Sequence, residues 1–217
     1  MRRSLPLVFA LLFALEAVAQ APDVRVLSAL GDVDSLRSLG DAGNVEAQAR
    51  LCSLYWTGRR IPQDFTEAAK WCRPAAEQGH VDAQTVLGSL YMMGHGVRRS
   101  QKDAVKWLTP AASKGYARAQ SVLGTVYEYG GHDLAPDKVR AHMWFNVAAV
   151  NFLEDKQIAA EFSAPDQATT RTRLIRFAER DRADAAQSRT RVERTMTAAQ
   201  IAEAQRLARE WRPSGKP

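Results

Sequence analysis

A repeat governs this chain. Gly43, Gly79 and Gly115 are spaced by 36 residues, and the same interval relates Ala47, Ala83 and Ala119, then Gln48, Gln84 and Gln120, then Leu51, Leu87 and Leu123. Tyr55, Tyr91 and Tyr127 follow in register, with Gly58, Gly94 and Gly130 behind them. In the second half of each copy, Ala68, Trp71, Ala75 and Ala76 recur as Ala104, Trp107, Ala111 and Ala112. They recur again, at a spacing of 37, as Ala141, Trp144, Ala148 and Ala149, so one extra residue sits in the loop after Gly130. A unit of this size cannot bury both of its faces alone; copies must stack, and a stack needs atypical ends to cover its core.

Each copy reads as two helices. Ala47, Leu51, Leu54 and Tyr55 fall on one face of a first helix, and Gly58 stops it where a left-handed residue is wanted. Asp64 with Glu67 has the spacing of a capping box, Ser100 with Asp103 repeats it, and Asp137 takes the same place in the third copy. The second helix then presents Ala68, Trp71, Ala75 and Ala76. Its alanines permit close approach and its indole fills the space beside them, so Trp71, Trp107 and Trp144 are expected in the core. The reading is an all-α fold, a right-handed α-solenoid of antiparallel helix pairs. Copies span 42–78, 79–114 and 115–151, a capping helix occupies 20–41, a helical insertion 152–181, a C-terminal capping pair 182–212 and a tail 213–217. Within these, Val24 to Leu39 and Thr197 to Trp211 read as cap helices, the latter opened by a Thr197–Gln200 capping box.

The unit Ala-Gln-x-x-Leu-Gly-x-x-Tyr-x-x-Gly, followed by Ala-x-x-Trp-x-x-x-Ala-Ala-x-x-Gly, resembles the Sel-one-like repeat, a relative of the tetratricopeptide repeat. The resemblance covers about Ala42 to Asn151, half the chain, and the segment from Met196 to Ala208 is similar to the ending of bacterial members. It implies a protein-binding adaptor, often of the bacterial envelope. Some cysteine-rich relatives are linked to penicillin binding or β-lactam cleavage, which makes a hydrolase, or a protein binding peptidoglycan or β-lactams, the alternative. The chain departs from the pattern at Cys52, which stands where the other copies have Gly88 and Gly124.

Arg2 and Arg3, an apolar run from Leu5 to Leu15, and Ala17-Val18-Ala19 have the order of a signal peptide cleaved after Ala19. The run is interrupted by Pro6, ended by Glu16 and too short to span a bilayer. The expected location is periplasmic or secreted. Removing residues 1–19 takes the formal charge from +6 to +5. From 20 to 164 basic and acidic residues balance at 16 each, so the excess lies in 165–217, with 12 basic and 7 acidic. Arg180 with Asp184 and Arg189 with Glu193 have the spacing of ion pairs along a solvated helix, and export argues against nucleic acid as the partner.

Catalytic motifs are missing. His80, His95, His132 and His142 show no metal-ligand spacing, three of them lie in turns beside repeat glycines, and all are expected to be exposed or satisfied in turns. No Gly-x-Ser-x-Gly elbow, Ser-x-x-Lys pair or phosphate-binding loop is present, so neither enzyme, metal nor cofactor is expected. Repeating positions serve the framework; recognition should therefore use first-helix positions that vary between copies, and Arg50, Trp56, Met92 and Glu128 are the candidates, facing a protein partner. The two cysteines lie at similar heights on helices joined by a short loop, Cys52 six residues before Gly58 and Cys72 eight after Asp64. In an oxidising compartment such a pair is expected to form a disulfide, two buried thiols being the other reading.

Overall fold

The structure, a computed structural model, describes Val24 and residues 32–154 and 168–213. Its elements are helices: α1 (Val33–Asp41), α2 (Val45–Thr57), α3 (Phe65–Glu77), α4 (Val81–Met93), α5 (Gln101–Ser113), α6 (Ala117–Tyr129), α7 (Lys138–Glu154), α8 (Ala168–Glu193) and α9 (Ala198–Glu210). The expected signal segment lies outside the described residues. Helices α2 and α3, α4 and α5, and α6 and α7 form the three antiparallel pairs, and each pair packs on the next through its second helix. The first helices also touch one another, so α2, α4 and α6 form a continuous inner row. This is an all-α solenoid.

Local chemistry sets the helix ends. Gly58 and Gly94 adopt the left-handed conformation at the ends of α2 and α4, with φ of 65° and 77°. Asp64 accepts from the amides of Thr66 and Glu67, and Ser100 from that of Asp103. Only Thr197 and Gln200 complete the reciprocal box; Glu67 turns instead to the Trp71 indole, which donates to it at 3.1 Å. Asn44 and His80 cap α2 and α4 through their side chains.

Register bonds join the copies. Gln48, Gln84 and Gln120 each donate to a carbonyl near the end of the preceding second helix: Gly40 at 2.9 Å, Ala76 at 3.0 Å and Ala112 at 2.9 Å. Because Gly40 stands 36 residues before Ala76, and buried Leu36 stands 36 before Cys72, α1 occupies the place of a second helix in the repeat register. Arg37 and Arg73, also 36 apart, donate to the hydroxyls of Tyr55 and Tyr91.

The glycine-to-cysteine departure has a direct structural reading. A Cβ on Gly88 would meet Leu108 at 2.5 Å, and one on Gly124 would meet the Phe145 ring at 2.6 Å. The repeat equivalent of Leu108 and Phe145 is Cys72. Where copies two and three press a large side chain into a glycine gap, copy one joins Cys52 to Cys72 in a disulfide with Cα atoms 4.8 Å apart. The expected bridge is present.

Three expectations need adjustment. Trp71 is buried, but Trp107 and Trp144 are only half-buried; Trp144 meets Trp211 edge-on at 6.2 Å rather than sinking into the core. The sequence division at 181/182 falls inside one continuous helix, α8. Its charges also reach outward: Arg189 donates to Asn146 and Glu193 faces His142, instead of pairing with each other, because that side of α8 packs on α7.

Candidate functional site

On α2, residues 46, 50, 53 and 57 share one face, since steps of three and four residues return to the same side of a helix. Their repeat equivalents are 82, 86, 89 and 93 on α4, and 118, 122, 125 and 129 on α6. Along the inner row these positions form a stripe that reads Arg50, Val86, Val122 across its middle and Thr57, Met93, Tyr129 at its end. Met93 is 38% exposed and Tyr129 62%, large apolar side chains that the core does not use.

The four candidates from the sequence divide against this stripe. Arg50 lies in it, held by Glu46 at 2.8 Å, while Glu46 also faces His80 at 3.4 Å. Trp56 is half-buried one position away and packs against Phe65, with ring centroids 5.5 Å apart; Phe65 in turn stacks on His95 at 4.6 Å. Met92 is half-buried in the core of the second and third copies. Glu128 is already engaged, accepting from Arg191 of α8 at 2.8 and 2.7 Å. Arg50 thus lies in the stripe, while Trp56, Met92 and Glu128 each stand one residue before its end positions Thr57, Met93 and Tyr129. A single step is about 100° around a helix, enough to turn a side chain from the stripe toward the neighbouring helix. Extending the i, i+4, i+7, i+11 stripe from Glu46 reaches Thr57 and, one and two repeats on, Met93 and Tyr129.

The loop after Gly130 explains the extra residue of the third copy. It returns to the second copy and places Asp133 over the start of α5, where its carboxylate accepts from the Ser100 hydroxyl at 2.7 Å and from the amides of Gln101 and Lys102 at 3.0 and 3.2 Å. The hydroxyl bond first, then the amides of the helix start, hold its pKa down to about 2 against the desolvation that opposes them.

At the far end, α8 and α9 both lie against α7, and α9 rests on α7 rather than completing a pair with α8. Arg118–Asp181 at 3.7 Å and Glu128–Arg191 align α8 beside α6, and Ala185 packs with Ala117 and Ala148. A polar cleft of about 340 Å³ remains between the three helices, lined by His142, Asn146, Arg189, Glu193, Gln205 and Arg209. His142 contradicts its expectation, being neither exposed nor in a turn: it is on α7 and 1% exposed. Burial pushes its pKa down, Glu193 partly opposing this. The described lining includes no serine, threonine or cysteine, and among the described residues no group of three or more His, Cys, Asp or Glu could hold a metal ion.

This architecture defines a helix-pair repeat protein. The Sel1 repeat matches residues 45–80, 81–116 and 117–149, and the chain belongs to the Sel1 repeat family. A Sel1 repeat protein from Oxalobacter formigenes is 38% identical, with 55% of this chain and 89% of that one covered and a TM-score of 0.44. A protective antigen of uropathogenic Escherichia coli strains displaying an SLR fold is 22% identical, with 84% of this chain and 40% of that one covered and a TM-score of 0.51. Among curated proteins nothing matches. The Sel1/TPR-like repeat fold of this chain is typical of protein–protein interaction scaffolds. No helix among the described residues is long and apolar enough to cross a membrane.

Proposed function

We propose that the chain is an exported adaptor that holds a segment of a partner protein along its inner row of first helices. The carrying observation is the stripe itself. Its middle is Arg50, Val86 and Val122, and Met93 and Tyr129 stand exposed at its end, on positions that the repeat leaves free to vary. Trp56 and Met92 support the stripe from beside it, and Glu128 contributes by fixing α8 at the end of the row. A partner segment with apolar anchors and an acidic group for Arg50 suits this surface.

The signal-like start supports export to the periplasm or beyond, and so does the Cys52–Cys72 bridge, since disulfides persist in oxidising compartments. The decisive experiment is capture from an envelope fraction with the native protein and with an Arg50→Ala, Met93→Ala, Tyr129→Ala variant. The native protein should enrich a partner that the variant loses while its thermal melt is unchanged; equal capture would sink the reading. Recovery of the chain from the cytoplasm with Met1 retained would overturn export.

A further inference from the structure

The cleft between α7, α8 and α9 has the features of a built site. His142 is 1% exposed, yet among the described residues neither ring nitrogen has a hydrogen-bond partner; Nε2 stands 3.6 Å from Glu193 Oε2, just outside bonding distance. A buried imidazole without partners is costly unless something else satisfies it. Arg189 reaches the same space and spends one nitrogen on Asn146 at 3.1 Å. Among the described residues the Arg209 guanidinium has no acidic partner. Two guanidiniums therefore face one carboxylate, and the cleft holds one uncompensated positive charge. A second pocket of about 450 Å³ shares Asn146 and Arg209 with it and has Val147, Val150, Ala208 and Trp211 in its wall, with Asn151 and Arg212 also lining it.

We propose that this cleft binds a carboxylate carrying an apolar body. Arg189 and Arg209 take the carboxylate, in the forked geometry that guanidinium groups favour, and the ring of His142, buried beneath them, responds to its charge. The apolar body lies in the adjoining pocket against Trp211. One carboxylate neutralises the excess charge, and the apolar wall selects against a bare anion. The groups facing His142 are Glu193 and Arg189, with Arg209 across the cleft. A bound carboxylate adds a negative charge to that set and favours the imidazolium, so binding takes up a proton and tightens as the pH falls toward the imidazole's burial-lowered range.

The test follows the His142 ring resonances by NMR in histidine-labelled protein, assigned by their loss in His142→Asn; the chain has only four histidines. The probes are N-acetylleucine, its amide, sodium acetate, and an acetylated Ala-Ala-Leu peptide with a free carboxylate. N-acetylleucine should shift the His142 signal saturably and bind roughly tenfold or more tighter than acetate, as burial of a leucine side chain requires. The amide should be silent. Tighter binding of the peptide would support the C-terminus of a polypeptide as the source of the carboxylate, and equal binding would support a free small molecule. Arg209→Gln, at an exposed position that does not threaten the fold, should weaken N-acetylleucine at least tenfold. An Arg50→Ala, Met93→Ala, Tyr129→Ala variant should leave it unchanged, which separates this site from the inner stripe. No saturable shift, an equal response to the amide, or binding indifferent to Arg209→Gln would overturn the proposal.

Discussion

The first and third copies solve the same contact in different ways. At the crossing of its two helices the first copy closes a covalent bond between Cys52 and Cys72, whereas the third seats Phe145 in the gap over Gly124. The first is thereby fastened within itself. The third is fastened to its neighbours as well, through Asp133 over α5 on one side and Glu128 to Arg191 on the other. A repeat thus tolerates a change of chemistry at a fixed contact when the two positions change together, and a change of length in a loop when the extra residue finds a partner.

The largest expected effect breaks the covalent arm of this contrast. Replacing both cysteines by serine should lower unfolding stability by about 3 kcal/mol, the chain-entropy value for a loop of this size, as read from urea melts. The double change Cys52→Gly with Cys72→Leu should recover much of that loss, because it imports the solution of the second copy; failure to recover would mean that the first pair is not an equivalent of the others. Next comes Gly124→Ala, whose methyl group meets a rigid ring. It should cost about 2 kcal/mol, and more than Gly88→Ala, where the leucine can rotate away.

Two smaller changes test the outward fastening. Asp133→Ala removes a helix cap and should cost about 1 kcal/mol at neutral pH. Since the folded pKa is about 2, below the ordinary 3.8, this contribution is present above about pH 4 and lost as the pH falls toward 2; the mutant and native melting temperatures should converge over that interval. Arg191→Ala breaks a half-exposed ion pair and should cost about 0.5 kcal/mol, the least of the four, with a decrease on adding salt.

Much of this was legible beforehand. The repeat interval places every helix pair, and the coincidence of Cys52 with Gly88 and Gly124 marks a close crossing before any coordinates. The equivalence of Cys72 with Leu108 and Phe145 is in the same register and could have been read with it. The end of the chain resisted because periodicity stops there: nothing local shows that α8 runs unbroken through Asp181 and Arg182. His142 looks like an ordinary polar residue of α7 until α8 and α9 close over it, a tertiary event with no sequence period. Variation between copies singles out Trp56 and Met92, but it detects freedom from the framework and not the direction in which a side chain points.

The glutamine bonds give the stack a direction. In each, the donor belongs to the later copy and the acceptor to the helix before it: Gln48 to Gly40, Gln84 to Ala76, Gln120 to Ala112. Removing the third copy leaves the Ala112 carbonyl without its donor and strips Asp133 from the start of α5. Removing α1 instead takes away the Gly40 carbonyl that accepts from Gln48 and the buried Leu36 side chain packed with the first pair. The array is therefore polar as a building material: each copy brings the donor that ties it to the helix before it and offers the carbonyl on which the next copy is laid.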